Sequence, residues 1–253
     1  MMKLKTAYKI LIGLNILFSG EKLMAQTEAD NSIQIRTIAI APYGIENASK
    51  PSGIYYDLAN LLFKDLKLDL NHKIYPYARI INELKTGRTD LTIMFKYKEL
   101  EDHVIYIAPL PALANVVIGL KGSSFKVISD LEGKSLAYLR GAKFSDEIDM
   151  NTNIEKSKTM DFSQSIKMLV NGRVDAIIGP MEPILNAADS IGAVNIFGKP
   201  LYVSERVPWL QISKKSKLSL TPISNKIRLL FEDILNQGEL KKLQDKYGSS
   251  NFK

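Results

Sequence analysis

With 253 residues, 45% hydrophobic and 24% charged, the chain suits one large or two small globular domains, not a disordered or fibrous protein. It has no cysteine, which excludes a disulfide framework and a lipid anchor on an N-terminal cysteine. The formal net charge is +7, but the basic residues are scattered. Their denser groups, Lys214, Lys215 and Lys217 and then Lys241, Lys242 and Lys246, form neither a stripe nor a readable motif, so nucleic acid is not an expected partner.

Taken in order, the chain opens with Lys3, Lys5 and Lys9, an apolar stretch from Ile10 to Phe18, and Leu23-Met24-Ala25 before Gln26. This is the layout of a secretory signal peptide over residues 1–25. Four lysines and one glutamate lie in it, so about +4 of the +7 belongs to the remainder. No later apolar run is long enough to span a bilayer. Export without a cysteine anchor points to a Gram-negative periplasm, where an outer membrane retains the product.

Ile33 to Ile40 alternates and is β-rich, predicting a strand. Ala41-Pro42-Tyr43-Gly44 ends it in a loop, and Asn47 to Gly53 is turn chemistry. Ile54 to Leu66 carries leucines at helical spacing. His72 to Tyr77 reads as a strand, Ala78 to Leu84 as a helix and Leu91 to Phe95 as a strand. Tyr106 to Leu120, with Pro109 and Pro111 ahead of a β-rich stretch, reads as a crossing from one lobe to the next. Ser135 to Leu139 is a strand followed by the loop Arg140-Gly141-Ala142-Lys143, and Phe144 to Met150 opens a helix. Ser163 to Val170 is helical, Ala176 to Ile178 a strand and Pro183 to Ser190 a helix. Leu201 to Ser213 returns the chain to the first lobe, and helices over Pro222–Leu235 and Glu239–Tyr247 close it.

One phrase occurs twice, about 85 residues apart: Ile81-Asn82-Glu83-Leu84-Lys85-Thr86-Gly87-Arg88-Thr89-Asp90-Leu91-Thr92-Ile93, and Ile166 to Ile178 with Gly172-Arg173-Val174-Asp175 in the same places. Each reads as an amphipathic helix, a glycine that accepts positive φ, an aspartate and a strand covered on both faces. Asp90 and Asp175 are expected to bond backbone N–H groups at this turn. Two such units imply two matched α/β lobes with a cleft between them.

These landmarks resemble, in order and over nearly all of the chain after residue 25, the family 3 extracellular solute-binding proteins of bacterial ABC transporters. Ala41-Pro42-Tyr43-Gly44 followed by Gly53-Ile54-Tyr55-Tyr56-Asp57-Leu58-Ala59 looks like that family's opening. Leu131-Glu132-Gly133-Lys134 with Arg140-Gly141 looks like its second-lobe entry, and Asn236-Gln237-Gly238-Glu239-Leu240 with Lys246-Tyr247-Gly248 like its C-terminal helix pair. The resemblance implies an α/β, two-lobe periplasmic binding protein type 2 fold, each lobe a mostly parallel sheet flanked by helices, joined by two crossover strands. Lobe 1 is expected over 32–113 and 207–253, and lobe 2 over 114–206. It further implies a monomer that captures a small polar molecule for the membrane permease of an ABC transporter, without a cofactor.

Ligands of open α/β sheets sit off the carboxyl ends of strands. The residues expected there are the aromatic Tyr43 and Tyr77, the donors Arg79, Lys96, Arg140 and Lys143, and Glu182. Amino-acid binders of the family hold the ligand's carboxylate with an arginine shortly after the first repeat's strand. Here Glu101 or Asp102 falls there, and the partner of the ammonium is displaced, with Pro180 near its place and Glu182 two residues on. The ligand is therefore expected not to be an ordinary α-amino acid. His72 and His103 lack metal-ligand spacing, so no metal site is expected. The alternatives are a cyclohexadienyl-dehydratase-like enzyme with Glu182 as general acid, and a ligand-sensing subunit.

Overall fold

Two five-stranded sheets share one strand plan in the computed structural model, which describes residues 32–47, 50–64, 68–193 and 195–248. The signal-peptide reading over 1–25 and Leu66 lie outside the described residues. The first half runs β1 (Ile33–Ile38), α1 (Ile54–Phe63), β2 (Leu70–Tyr75), α2 (Tyr77–Thr86), β3 (Leu91–Phe95) and β4 (Val104–Pro109). The second runs β5 (Leu113–Ile118), β6 (Ser135–Leu139), α3 (Asp146–Met150), β7 (Glu155–Thr159), α4 (Phe162–Val170), β8 (Ala176–Pro180), α5 (Met181–Ser190) and β9 (Leu201–Arg206). Then β10 (Pro208–Ser213), α6 (Thr221–Asn236) and α7 (Glu239–Lys246) follow.

Strand order is β2-β1-β3-β10-β4 in one sheet and β7-β6-β8-β5-β9 in the other. β1 pairs in parallel with β2 and β3, and β6 with β7 and β8. Only β10 and β5 run against their neighbours. Each sheet is thus mostly parallel, and the chain passes between the sheets after β4 and again between β9 and β10.

The repeated phrase builds the same unit twice. α2 buries Ile80, Ile81 and Leu84, and α4 buries Phe162, Ile166 and Leu169, the stripe that each helix lays on its sheet. Asp161 caps α4 by accepting from the Gln164 N–H at 2.7 Å. Gly87 ends α2 in the left-handed conformation at φ 79°, and Gly172 follows α4 at φ 66°. β3 and β8 are buried along their whole length, as central strands require.

Beyond shifts of one or two residues at element ends, the structure departs from the sequence reading as follows. β2 stops at Tyr75, because Pro76 has no N–H for the ladder, and Tyr77 already opens α2. β4 is a strand where only a crossing was expected. β7 is a strand that its polar sequence, Glu155-Lys156-Ser157-Lys158-Thr159, did not announce; it lies at the sheet edge, where such residues stay wet.

Candidate ligand-binding cleft

The loops leaving the carboxyl ends of β1, β2, β3, β6 and β8 converge between the sheets. Gly53, at φ 125°, lets the first of them fold back closely: a Cβ there would stand 2.5 Å from the Tyr43 carbonyl oxygen. That approach sets the Tyr43 ring on Tyr55, one residue into α1, with centroids 4.4 Å apart and planes 13° from parallel. Tyr43, Tyr55 and Tyr77 are all buried. They line a cavity together with Met94 and Phe95, and Pro180 and Pro183 bound it from the second lobe. The remaining lining is aliphatic or proline, and none of the described residues lining it is charged. Its volume is about 10 Å³, roughly the space of one water molecule.

Polar ties cross between the lobes beside this cavity. The Tyr43 hydroxyl donates to Glu182 Oε2 at 2.8 Å. Burial, then the neighbouring Tyr55 and Glu182, push the Tyr43 hydroxyl well above the usual phenol range, so it stays a donor. Tyr55 is raised for the same first reason. Glu182 sits in the first turn of α5, where the helix dipole favours a carboxylate. Its second oxygen, Oε1, is buried and has no hydrogen-bond partner among the described residues.

A second tie is made by Arg206, the last residue of β9. Its Nη1 donates to the Lys143 carbonyl at 2.5 Å and its Nη2 to the Lys96 carbonyl at 2.7 Å. Its guanidinium carbon lies 5.5 Å from the Phe95 ring centroid and 5.8 Å from that of Tyr97. The loop that carries Lys143 is fixed from below: the Phe144 N–H donates to the Tyr138 hydroxyl at 3.0 Å, and Asn115 Nδ2 donates to the Phe144 carbonyl at 3.3 Å. A third approach needs no polar group. A Cβ on Gly141, at φ 81°, would meet Ala78 at 3.0 Å, so glycine permits the lobes to touch there.

Of the residues named from sequence, the structure brings Tyr43, Tyr77 and Glu182 together. Arg140 and Tyr77 line an adjoining cavity of about 30 Å³ with Pro76, Ala78 and Met160. Lys143 contributes its carbonyl to the Arg206 tie, and its side chain is exposed. Lys96 does the same, with its ammonium 3.8 Å from the Trp209 ring and 4.4 Å from that of Tyr106. Arg79 faces elsewhere: it pairs with Glu83 at 3.0 Å on its own helix and lies 3.4 Å over the Tyr75 ring. Glu101 and Asp102 are exposed in the turn before β4. Sequence reasoning missed Tyr55 and Arg206. Gly53-Ile54-Tyr55 held a signal for the first, since a glycine that admits the loop also sets the next aromatic beneath it. Among the described residues, no group of three or more His, Asp or Glu is placed to hold a metal.

Two matched α/β lobes, crossed twice by the chain and facing each other through the loops at their strand ends, define the two-lobe periplasmic binding protein fold of type 2. The chain belongs to the bacterial extracellular solute-binding proteins, family 3, whose pattern it matches over residues 35–250. It is similar to the probable amino-acid-binding protein YxeM of Bacillus subtilis (strain 168), at 22% identity over 240 residues, which is 90% of this chain and 88% of that one. Its fold is similar to that of an ancestral arginine-binding protein bound to arginine, with a TM-score of 0.72 and 21% identity over 86% of this chain and 98% of the other. It is also similar to the arginine-, lysine-, histidine-binding protein ArtJ from Geobacillus stearothermophilus, with a TM-score of 0.70 and 20% identity over 85% and 94% of the two chains.

Proposed function

We propose that this protein works as a monomer in the periplasm, after removal of residues 1–25, capturing a small solute between its lobes and delivering it to the permease of an ABC transporter. Family membership supports solute capture, and the binding-protein names of its relatives favour binding over catalysis. The observation that carries the reading is the cleft itself: three buried tyrosines of one lobe, Tyr43 and Tyr77 beyond strand ends and Tyr55 in α1, opposed by Pro180, Glu182 and Pro183 of the other. A cavity of about 10 Å³ holds no solute of several heavy atoms, so the lobes part to admit one and close over it.

The ligand on this reading is not an ordinary α-amino acid. The cavity beneath Tyr43 offers no guanidinium for a carboxylate, and a ligand carboxylate placed near Glu182 would meet a like charge without compensation. Ligand contacts fall to Tyr43, Tyr55, Tyr77 and Glu182, with Arg140, Lys143 and Lys96 at the rim.

A thermal-shift screen over a broad set of small metabolites, with the common amino acids included, tests this. A ligand at a hundredfold excess over Kd stabilises by about 2.7 kcal/mol, or roughly 5–10 °C for a protein of this size. We expect such a shift from at least one metabolite and none from the common amino acids. A flat response to the whole set overturns the binding reading, and a shift with a common amino acid overturns the ligand assignment.

A further inference from the structure

The cleft contains a buried carboxylate oxygen with no hydrogen-bond partner among the described residues. Glu182 Oε2 accepts from the Tyr43 hydroxyl, but Oε1 is buried without a partner, and no Lys or Arg among the described residues forms an ion pair with this side chain. A buried anionic oxygen in that state is costly, and the group that relieves it is an N–H donor bearing positive charge. The cavity beside it is walled by the aromatic rings of Tyr43, Tyr55 and Tyr77, whose faces attract cations. The rest of its lining is apolar and uncharged, fit for a hydrocarbon body and unfit for a carboxylate. Anion, aromatic walls and apolar lining together describe a site for an amine.

We propose that the solute of this cleft is a small protonated organic amine that carries no carboxylate, its ammonium on Glu182 Oε1 and its hydrocarbon among the three tyrosines. The proposal rests on the binding reading above and narrows it to a chemical class. The ammonium supplies the donor that Oε1 lacks, so the ligand favours lobes closed around it over lobes closed empty.

The test uses matched probes on the exported chain, by calorimetry and thermal shift. Phenethylamine is compared with phenylalanine, and 3-methylbutylamine with leucine, pairs that differ only by a carboxylate. Phenethyl alcohol and 3-methylbutanol replace the ammonium with a neutral group of similar shape. We expect at least one amine to bind, at roughly tenfold or more over both its amino acid and its alcohol. Glu182→Gln is expected to reduce amine affinity tenfold or more. The comparison of amine with alcohol on the unaltered protein needs no folded variant. Amino acids binding as tightly as their amines overturn the proposal, and Arg140→Gln then reports whether Arg140 holds their carboxylate. Alcohols binding as tightly as amines also overturn it. If no amine binds but another metabolite from the broad screen does, the amine assignment fails while solute binding stands. If nothing binds at all, both fail.

Discussion

The protonation of His72 is set by its surroundings. Its ring stacks on Tyr56 with centroids 3.9 Å apart. Nδ1 lies 2.8 Å from Asn60 Oδ1 and Nε2 2.8 Å from Thr37 Oγ1. Asn60 Oδ1 only accepts, so the network assigns the proton to Nδ1 and leaves Nε2 to accept from the Thr37 hydroxyl. Burial first, then the nearby Arg36 guanidinium, lower the His72 pKa to about 3, with Asp57 pulling weakly the other way. In the unfolded chain a histidine titrates near 6.5. Between those two values the unfolded state binds the extra proton, so stability falls as pH drops, by up to about 1.4 kcal/mol per pH unit. From pH 7.5 to pH 5 this residue should remove about 2 kcal/mol. Urea melts of the parent and of His72→Gln should therefore converge over that interval, because the variant begins less stable and has no such proton to take up. A gap between them that is independent of pH would refute the assignment.

Among elements, the most informative are the two turns that precede β3 and β8. Asp90 Oδ2 accepts from the Gln34 N–H at 2.7 Å, while the Asp90 N–H donates to the Gln34 carbonyl at 2.8 Å. Asp175 repeats both bonds with Ser135, at 2.8 Å each, and adds the Ser135 hydroxyl at 3.1 Å. One device thus locks the entry of the central strand to its parallel neighbour in both lobes. Asp90→Ala and Asp175→Ala should each cost about 1–3 kcal/mol, the smaller loss falling on the exposed Asp175. The two changes lie in different sheets, so the double variant should add within about 0.5 kcal/mol in urea unfolding. Strong non-additivity would mean that the turns are coupled.

The same turns explain how much could be read from the chain alone. The repeat was legible because helix stripe, positive-φ glycine, aspartate and apolar strand each have a local physical cause. Edge strand β7 was not, because its residues are polar and only its pairing with β6 makes it a strand. In the cleft, Tyr43, Tyr77 and Glu182 were readable because each follows the end of a strand. Arg206 was not: its bonds go to carbonyls 63 and 110 residues away, and no local pattern encodes them.

For the molecule as a whole, that arginine decides how firmly the lobes hold together. Arg206 ends β9 and Lys143 follows β6, both of the second sheet, and Lys96 follows β3 of the first, so parting the lobes breaks the bond to Lys96 and keeps the one to Lys143. The Tyr43–Glu182 bond must break as well. A hydrogen bond from a charged group contributes about 1.5–3 kcal/mol net. Losing the one Arg206 bond that crosses, to Lys96, should therefore shift the balance toward parted lobes by about 1.5–3 kcal/mol, roughly ten- to a hundredfold in population. Arg206→Ala should raise the radius of gyration of the unliganded protein in small-angle scattering and weaken ligand affinity at least tenfold. Arg206→Lys should rescue little, because a single ammonium does not reproduce the planar fork that spans two carbonyls. The overall Tm should move by only a few degrees, since the cores of both lobes are untouched. Unchanged scattering together with unchanged affinity would show that the bridge at the end of β9 does not govern closure.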